Sequence, residues 1–460
     1  MLGAAMAARA PLPVIAIVGR PNVGKSTLFN RYAGRRRSLV QDTPGVTRDR
    51  LVEEVAVGGR RVLVVDTAGL DADADQGLPG AVQAQARAAL AEADAILFVV
   101  DGKHGTLPED EAIARALRRS AKPLVLAVNK IDVPAHAART GEFHRLGIEP
   151  LFAVSAEHGT GAFEALEAAV AALPALHAAP AAGDEEGALR IAIVGRPNVG
   201  KSSLVNRLLG SERVVVSNEP GTTRDAVDTL VVRGDERFVL VDTAGLRRPG
   251  KRSEAIERGS ALMAVRSLER ADVALVVIDA SEGFTDADAR VAALARERGR
   301  AAALLANKWD LVERRSPAER ERVRREIEDG IRFMADTPVV VVSAKTGLGT
   351  ARLFALARRL HAAANRTIPT GALNRWLQAT VAKHEPGMAQ RGQRRRAVKF
   401  FYATQTAQAP PTFVLFCTEP AAVAQSYRRF LENRLRESFD LAGTPIRLRL
   451  RARERAGGGG

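Results

Sequence analysis

The chain has 460 residues, 46% hydrophobic, 26% charged and only 4% aromatic, with a formal net charge of +15. That length allows two to four domains, whose cores must be filled by Ala, Val, Leu and Ile. No run approaches the ~18 apolar residues of a spanning helix, the opening MLGAAMAARAPLP lacks the order of a secretion signal, and the single Cys417 excludes a disulfide framework and a cysteine-ligated metal. A reducing cytoplasm is the expected compartment, and no membrane partner is expected.

In chain order, short apolar runs alternate with helical patterns. The runs Val14–Val18, Val62–Val65, Ala95–Val100, Leu124–Val128 and Leu151–Val154 read as buried strands, and Ile191–Val194, Phe238–Val241, Val273–Ile278, Ala302–Leu305 and Val339–Val342 as a second set. The motifs repeat with them. Gly19-Arg20-Pro21-Asn22-Val23-Gly24-Lys25-Ser26 returns as Gly195 to Ser202, Asp66-Thr67-Ala68-Gly69-Leu70 as Asp242 to Leu246, and Asn129-Lys130-Ile131-Asp132 as Asn307-Lys308-Trp309-Asp310. The second copy carries an insert, Glu313 to Asp329, expected to be an exposed charged helix. A third region reads as helix Leu373–His384, basic loop Glu385–Arg394, strands Ala397–Thr404 and Thr412–Cys417, helix Ala421–Phe439 and strand Ile446–Arg451. The expected fold class is α/β: two tandem P-loop G domains, each a mostly parallel sheet with helices on both faces, plus a small α+β domain. The boundaries are 13–173 for the first G domain, 174–188 for a linker, 189–365 for the second, 366–455 for the C-terminal domain, and 456–460 for a disordered tail.

G-x-x-x-x-G-K-S after a buried strand is a phosphate-binding loop, whose backbone N–H groups wrap phosphates at a helix start. Gly19, Gly24, Gly195 and Gly200 let the chain turn there, Lys25 and Lys201 would reach the β- and γ-phosphates, and Ser26 and Ser202 would ligate Mg²⁺; Thr27 and Ser203 complete the loop side of each site. Asp66 and Asp242 stand where the metal-side carboxylate belongs. Thr47 and Thr223, in Thr-Arg-Asp, are the candidate switch threonines on the same ion, and Gly69 and Gly245 would offer a backbone N–H to the γ-phosphate. Asn129-Lys130-x-Asp132 and Asn307-Lys308-x-Asp310 choose GTP or GDP over ATP, because their carboxylates match two guanine donors that adenine does not present. Ser155-Ala156 and Ser343-Ala344 close the base side, with the Ala amides aimed at the guanine oxygen. Leu70 and Leu246 follow Asp-Thr-Ala-Gly, where many small GTPases carry a Gln that orients water, so slow intrinsic turnover is expected. Asn22 and Asn198 either hold a monovalent cation against the phosphates or set the loop's geometry.

From Arg366 onward 17 Lys+Arg face 6 Asp+Glu, a net of +11, which suggests a polyanionic partner. Arg391, Arg394, Arg395, Arg396, Lys399 and the alternating Arg447, Arg449, Arg451, Arg453 and Arg455 read as phosphate contacts on RNA; the other reading is a solvated edge or an interface with acidic groups. The Gly-x-x-Gly clamp of RNA-binding KH domains is missing ahead of the terminal glycines. Trp309, Trp376 and Phe413 read as packing residues.

The two GRPNVGKS loops, the small third domain, and the stretches Leu373-Asn374-Arg375-Trp376, Pro411 to Phe416, Tyr427 to Arg436 and Gly443-Thr444-Pro445-Ile446 resemble the bacterial ribosome-biogenesis GTPase family Der, also called EngA, over about residues 13–455. The resemblance implies GTP hydrolysis in assembly of the large ribosomal subunit, contact with its rRNA, and a KH-like third domain. It also implies potassium-stimulated activity through Asn22 and Asn198, and a monomer off the ribosome is expected. The alternative, kept open by Leu70 and Leu246, is a nucleotide-gated RNA- or ribosome-binding scaffold in which hydrolysis is incidental.

Overall fold

The structure, a computed structural model, describes residues 12–34, 52–67, 93–173, 187–210, 215–217, 228–243, 260–334, 336–386, 388–391 and 394–452. Two compact units divide the chain: residues 1–183 with 248–269, and residues 184–247 with 270–460. The segment read as a linker, apart from Gly187 and Ala188, and the segment read as a tail lie outside the described residues.

In the first unit, strands β1 (Val14–Val18), β2 (Val52–Val57), β3 (Arg60–Asp66), β4 (Ala95–Asp101), β5 (Leu124–Asn129) and β6 (Leu151–Ala153) form one sheet in the order β2-β3-β1-β4-β5-β6. Every neighbouring pair is parallel except β2 with β3. β1 and β4 are buried along their whole length because helices cover both faces, which is why VIAIV and AILFVV carry no polar alternation. The helix Lys25–Gly34 lays Leu28, Phe29 and Tyr32 on Ile15 and Ile17, and the helix Ala162–Ala171 adds Leu166 and Val170 to the same core. This order places the carboxyl ends of β1, β3, β5 and β6 along one edge of the sheet.

The second unit repeats the plan with one more strand. β7 (Leu189–Val194), β8 (Val215–Ser217), β9 (Thr229–Arg233), β10 (Glu236–Val241), β11 (Val273–Asp279), β12 (Ala301–Asn307) and β13 (Val339–Val341) run in the order β13-β12-β11-β7-β10-β9-β8. The antiparallel strands β2, β8 and β9, at one end of each sheet, were not among the runs read from sequence: VEEVAV is half polar, and the edge strand β2 need bury only one face. The insert is the helix Pro317–Gly330, exposed as expected. Its start is fixed by Ser316, whose hydroxyl accepts from Glu319 N, and by Glu319, whose carboxylate accepts from Ser316 N.

The third region belongs to the second unit. The helices Thr370–Lys383 and Gln425–Ser438 pack Leu373, Leu377, Leu431 and Leu435 onto a sheet in the order β16-β17-β18, where β16 is Phe400–Ala407, β17 Thr412–Cys417 and β18 Arg447–Ala452. Two expectations are corrected. The basic stretch read as a loop contains the antiparallel hairpin β14 (Met388–Arg391) with β15 (Arg394–Ala397), and the first sheet strand begins at Phe400 rather than Ala397. A charged strand is illegible to hydrophobic periodicity, and its pairing partner is what fixes it. Asn374 closes the outer edge of β16, its amide donating to Ala403 O at 2.9 Å and accepting from Ala403 N at 2.9 Å. Gly443 ties this region to the preceding sheet: Ala302 N donates to Gly443 O and Gly443 N to Asp336 O, both at 2.8 Å, and Arg436 pairs with Asp336 at 2.8 Å.

Candidate functional site

β1 and β7 run directly into the two GRPNVGKS loops. Val23 and Val199, both fully buried, pin each loop to its core. Asn22 and Asn198 sit in the left-handed region at φ 62° and 63°, a conformation that Asn tolerates better than other residues with side chains. Gly24 and Gly200 follow at φ 96° and 92°, and a Cβ on them would lie 2.2 and 2.4 Å from the amide nitrogens of Asn129 and Asn307. At Gly19 and Gly195 a Cβ would meet the carbonyl oxygens of Val99 and Val277 at 2.2 and 2.3 Å. The Lys25 ammonium donates to Gly19 O at 2.7 Å and Arg20 O at 2.8 Å, and Lys201 donates to Arg196 O at 2.6 Å. Burial pushes the Lys25 pKa down, with the Asp66 carboxylate opposing that shift. Ser26, Thr27 and Ser203 are exposed at the helix starts, and Ser202 is half-buried.

The base side is held by the same device twice. Asn129 Nδ2 donates to Val23 O at 2.8 Å while its Oδ1 accepts from Ala156 N at 2.8 Å; Asn307 does the same with Val199 O at 2.8 Å and Ala344 N at 2.9 Å. One amide side chain thus joins three loops in each copy. The Ala156 and Ala344 amides, expected to face a guanine oxygen, donate to these Asn side chains. The Ser155 hydroxyl donates to Asp132 at 2.9 Å and the Ser343 hydroxyl to Asp310 at 2.7 Å, each fixing one carboxylate oxygen. Lys103 and then Ser155 hold the Asp132 carboxyl below its ordinary pKa. Lys130 and Lys308 take left-handed backbone at φ 68° and 59°.

The copies differ at the two aspartates expected on the metal side. Asp66 ends β3 and is 4% exposed, and Thr67 donates to Ile17 O at 2.8 Å. Asp242 instead lies just past β10 at φ 61°, its N–H donating to Asp228 Oδ1 at 3.0 Å. Thr47, Gly69, Leu70, Thr223, Gly245 and Leu246 lie outside the described residues.

Three supporting pairs were missed from sequence. Asp101 and Asp279 end β4 and β11 and bind Lys130 and Lys308 at 2.7 and 2.6 Å. Burial alone would raise the Asp101 pKa, but Lys130, His104 and the Lys103 amide hold it down to about 2. Arg31 and Arg207 reach from the helix after each phosphate loop to the Ala156 and Ala344 carbonyls, at 2.5 and 3.0 Å. Arg20 and Arg196 pair with the fully buried Asp110 and Asp288, both at 3.2 Å. A signal existed. Asp101 and Asp279 recur at the spacing of Asn129 and Asn307, and Arg31 and Arg207 at the spacing of the phosphate loops. In each pair one partner lies outside the short motifs, so only a full comparison of the copies would expose it.

The family model described as 50S ribosome-binding GTPase matches residues 14–130 and again 190–308, and the one described as the C-terminal KH-domain-like region of EngA bacterial GTPase enzymes matches residues 367–451. The elongation factor Tu GTP binding domain model matches residues 258–364. The chain is 48% identical over 449 residues to the GTPase Der of Moorella thermoacetica, covering 97% of this chain and 100% of that protein. It is 46% identical over 448 residues to the GTPase Der of Syntrophobacter fumaroxidans, with the same two coverages.

Proposed function

Because the chain belongs to the GTPase Der family and is therefore a GTPase that binds GTP and GDP, we propose that it hydrolyses GTP at two sites while acting in maturation of the large ribosomal subunit in the cytoplasm, as a monomer when off the ribosome. The observation that carries the two-site reading is the duplicated Asn staple, Asn129 and Asn307, each joining a phosphate loop to the Ser-Ala loop whose Ser orients an Asp. The supports for the ribosomal part are the +11 C-terminal region and the ribosome-binding description of the matched family. The proposed division is 13–173 and 189–365 for the two G domains and 366–455 for the KH-like domain.

In this reading the loop amides between Gly19 and Ser26, and between Gly195 and Ser202, cradle the phosphates at a helix N-terminus. Lys25 and Lys201 exchange their loop carbonyls for phosphate oxygens, and the burial of Lys25 makes its contacts stronger than they would be in water. Asp132 and Asp310 accept from the guanine donors, Lys130 and Lys308 cover the base, and Thr47, Gly69, Thr223 and Gly245 complete the γ-phosphate side. The hard oxygen donors Ser26 with Asp66, and Ser202 with Asp242, suit Mg²⁺, which when bound neutralises charge between the β- and γ-phosphates. Asn22 and Asn198 supply amide oxygens suited to K⁺.

Cosedimentation with large-subunit particles under GDP, GTP and a nonhydrolysable analogue tests the ribosomal part, with tighter binding expected in the triphosphate form. Turnover measured with and without the particles tests the enzymatic part. Stimulation supports the reading, whereas particle binding that neither stimulates nor needs hydrolysis would leave the scaffold reading.

A further inference from the structure

The outer face of the C-terminal sheet carries groups that neither nucleotide site uses. The strand registers place Tyr402, Phe416 and Arg451 in one row across β16, β17 and β18, and Thr404, Val414 and Arg449 in the next. The intervening row, Ala403, Leu415 and Leu450, turns to the helices and packs in the core. Tyr402 is 44% exposed, and its ring lies 6.2 Å from that of half-buried Phe416. Arg449 and Arg451 are exposed, and among the described residues no carboxylate pairs with either. Asn374 closes the β16 edge, so on that side the sheet presents its face rather than an open edge.

We propose that this face binds single-stranded RNA, with bases stacked on Tyr402 and Phe416 and backbone phosphates on Arg449 and Arg451. Aromatic faces accept any base, and arginines two residues apart on a strand stand about 6.6 Å apart, a spacing that follows an extended polyanion. An acidic peptide would pair with the arginines but would leave the aromatic row without a matching partner. A duplex would keep its bases stacked on one another and away from the rings. The site also supplies what the missing Gly-x-x-Gly clamp would otherwise give, a phosphate grip beside a base platform. The proposal rests on the reading that the chain works on ribosomal RNA.

The test uses the full chain with a labelled oligouridine single strand, a duplex of equal length, and large-subunit particles. Tyr402→Ala should weaken oligouridine binding about five- to hundredfold, the range of one lost stacking contact, while Tyr402→Phe retains it. Arg449→Ala and Arg451→Ala should each lower the salt slope of log affinity by about one. GTP affinity and the unfolding midpoint should stay unchanged in all four variants. Oligouridine binding indifferent to Tyr402→Ala, or equal binding of duplex and single strand, overturns the proposal even if particles cosediment. Displacement of the RNA by an acidic peptide regardless of Tyr402 also overturns it. Failure of cosedimentation with Tyr402-dependent oligouridine binding instead overturns the ribosomal reading and leaves this face standing.

Discussion

A single carboxylate shows how much of each site is decided residue by residue. Asp101 is 1% exposed and carries Lys130 at 2.7 Å, and its partners hold its pKa down to about 2. A depressed carboxylate contributes stability that is fully present above its ordinary value, near 4, and is lost as pH falls through about 2. Asp101→Asn should therefore lower stability by a constant amount from pH 7 to about 4, with the gap to wild type closing toward pH 2 in chemical denaturation. It should also weaken GTP binding at the first site by about tenfold, since Lys130 loses the group that orients it. Asn198 poses a different question, because its left-handed backbone gives a reason for Asn with no cation at all. Asn198→Gly keeps that backbone and deletes only the amide. If Asn198 ligates K⁺, the faster hydrolysis expected in K⁺ than in Na⁺ should vanish at the second site while GTP binding persists; a retained difference would leave Asn198 as a loop-shaping residue. Asp310→Asn should shift the second site toward xanthine nucleotides, and wild-type affinity for ATP equal to that for GTP in calorimetry would remove the guanine assignment.

Elements act here through close approach. The phosphate loop can lie against the β5 end only because Gly24 has no side chain, a Cβ there falling 2.2 Å from Asn129 Nδ2. Gly24→Ala should push the Asn129 amide off Val23 and Ala156 and cost at least about tenfold in GTP affinity at the first site, with the fold intact by circular dichroism. The strand pattern was legible where both faces are buried, as in β1, β4, β7, β11 and β12, whose apolar runs need no partner to be recognised. It failed for β2, whose polar residues lie on its less buried side, and for β15, whose arginines mask the pairing. The alternation Arg447, Arg449, Arg451 did predict one exposed face, because Leu448 and Leu450 between them turn inward.

Across the second unit, the sheet that carries the nucleotide motifs and the helix-covered sheet after it meet through Gly443. Its φ of 67° and the 2.7 Å approach of a Cβ to Ala302 O leave no room for a side chain. Gly443→Val should destabilise this unit by about 2 kcal/mol or more through backbone strain and displacement of Leu360 and Pro338. Urea unfolding should show it as a lower midpoint in transitions that report both sheets, and a midpoint equal to wild type would show that the joint yields without cost. Charge acts over the same scale. With 17 Lys+Arg against 6 Asp+Glu from Arg366 onward, affinity for large-subunit particles should fall steeply as KCl rises from about 50 to about 200 mM, and salt-independent binding would rule out phosphate contacts as its source.

The duplication, the parallel α/β class, the nucleotide motifs and the residues that bear them are all readable before folding, because short-range chemistry and strand burial write themselves locally. Tertiary structure alone decided which groups hold those motifs in place. Asp101 under Lys130, Arg31 over the Ala156 carbonyl and Asn374 on the edge of β16 pair residues that are 29, 125 and 29 positions apart. It also decided that Tyr402, Phe416 and Arg451 share one row, since strand register, unlike composition, exists only once the chain has closed on itself.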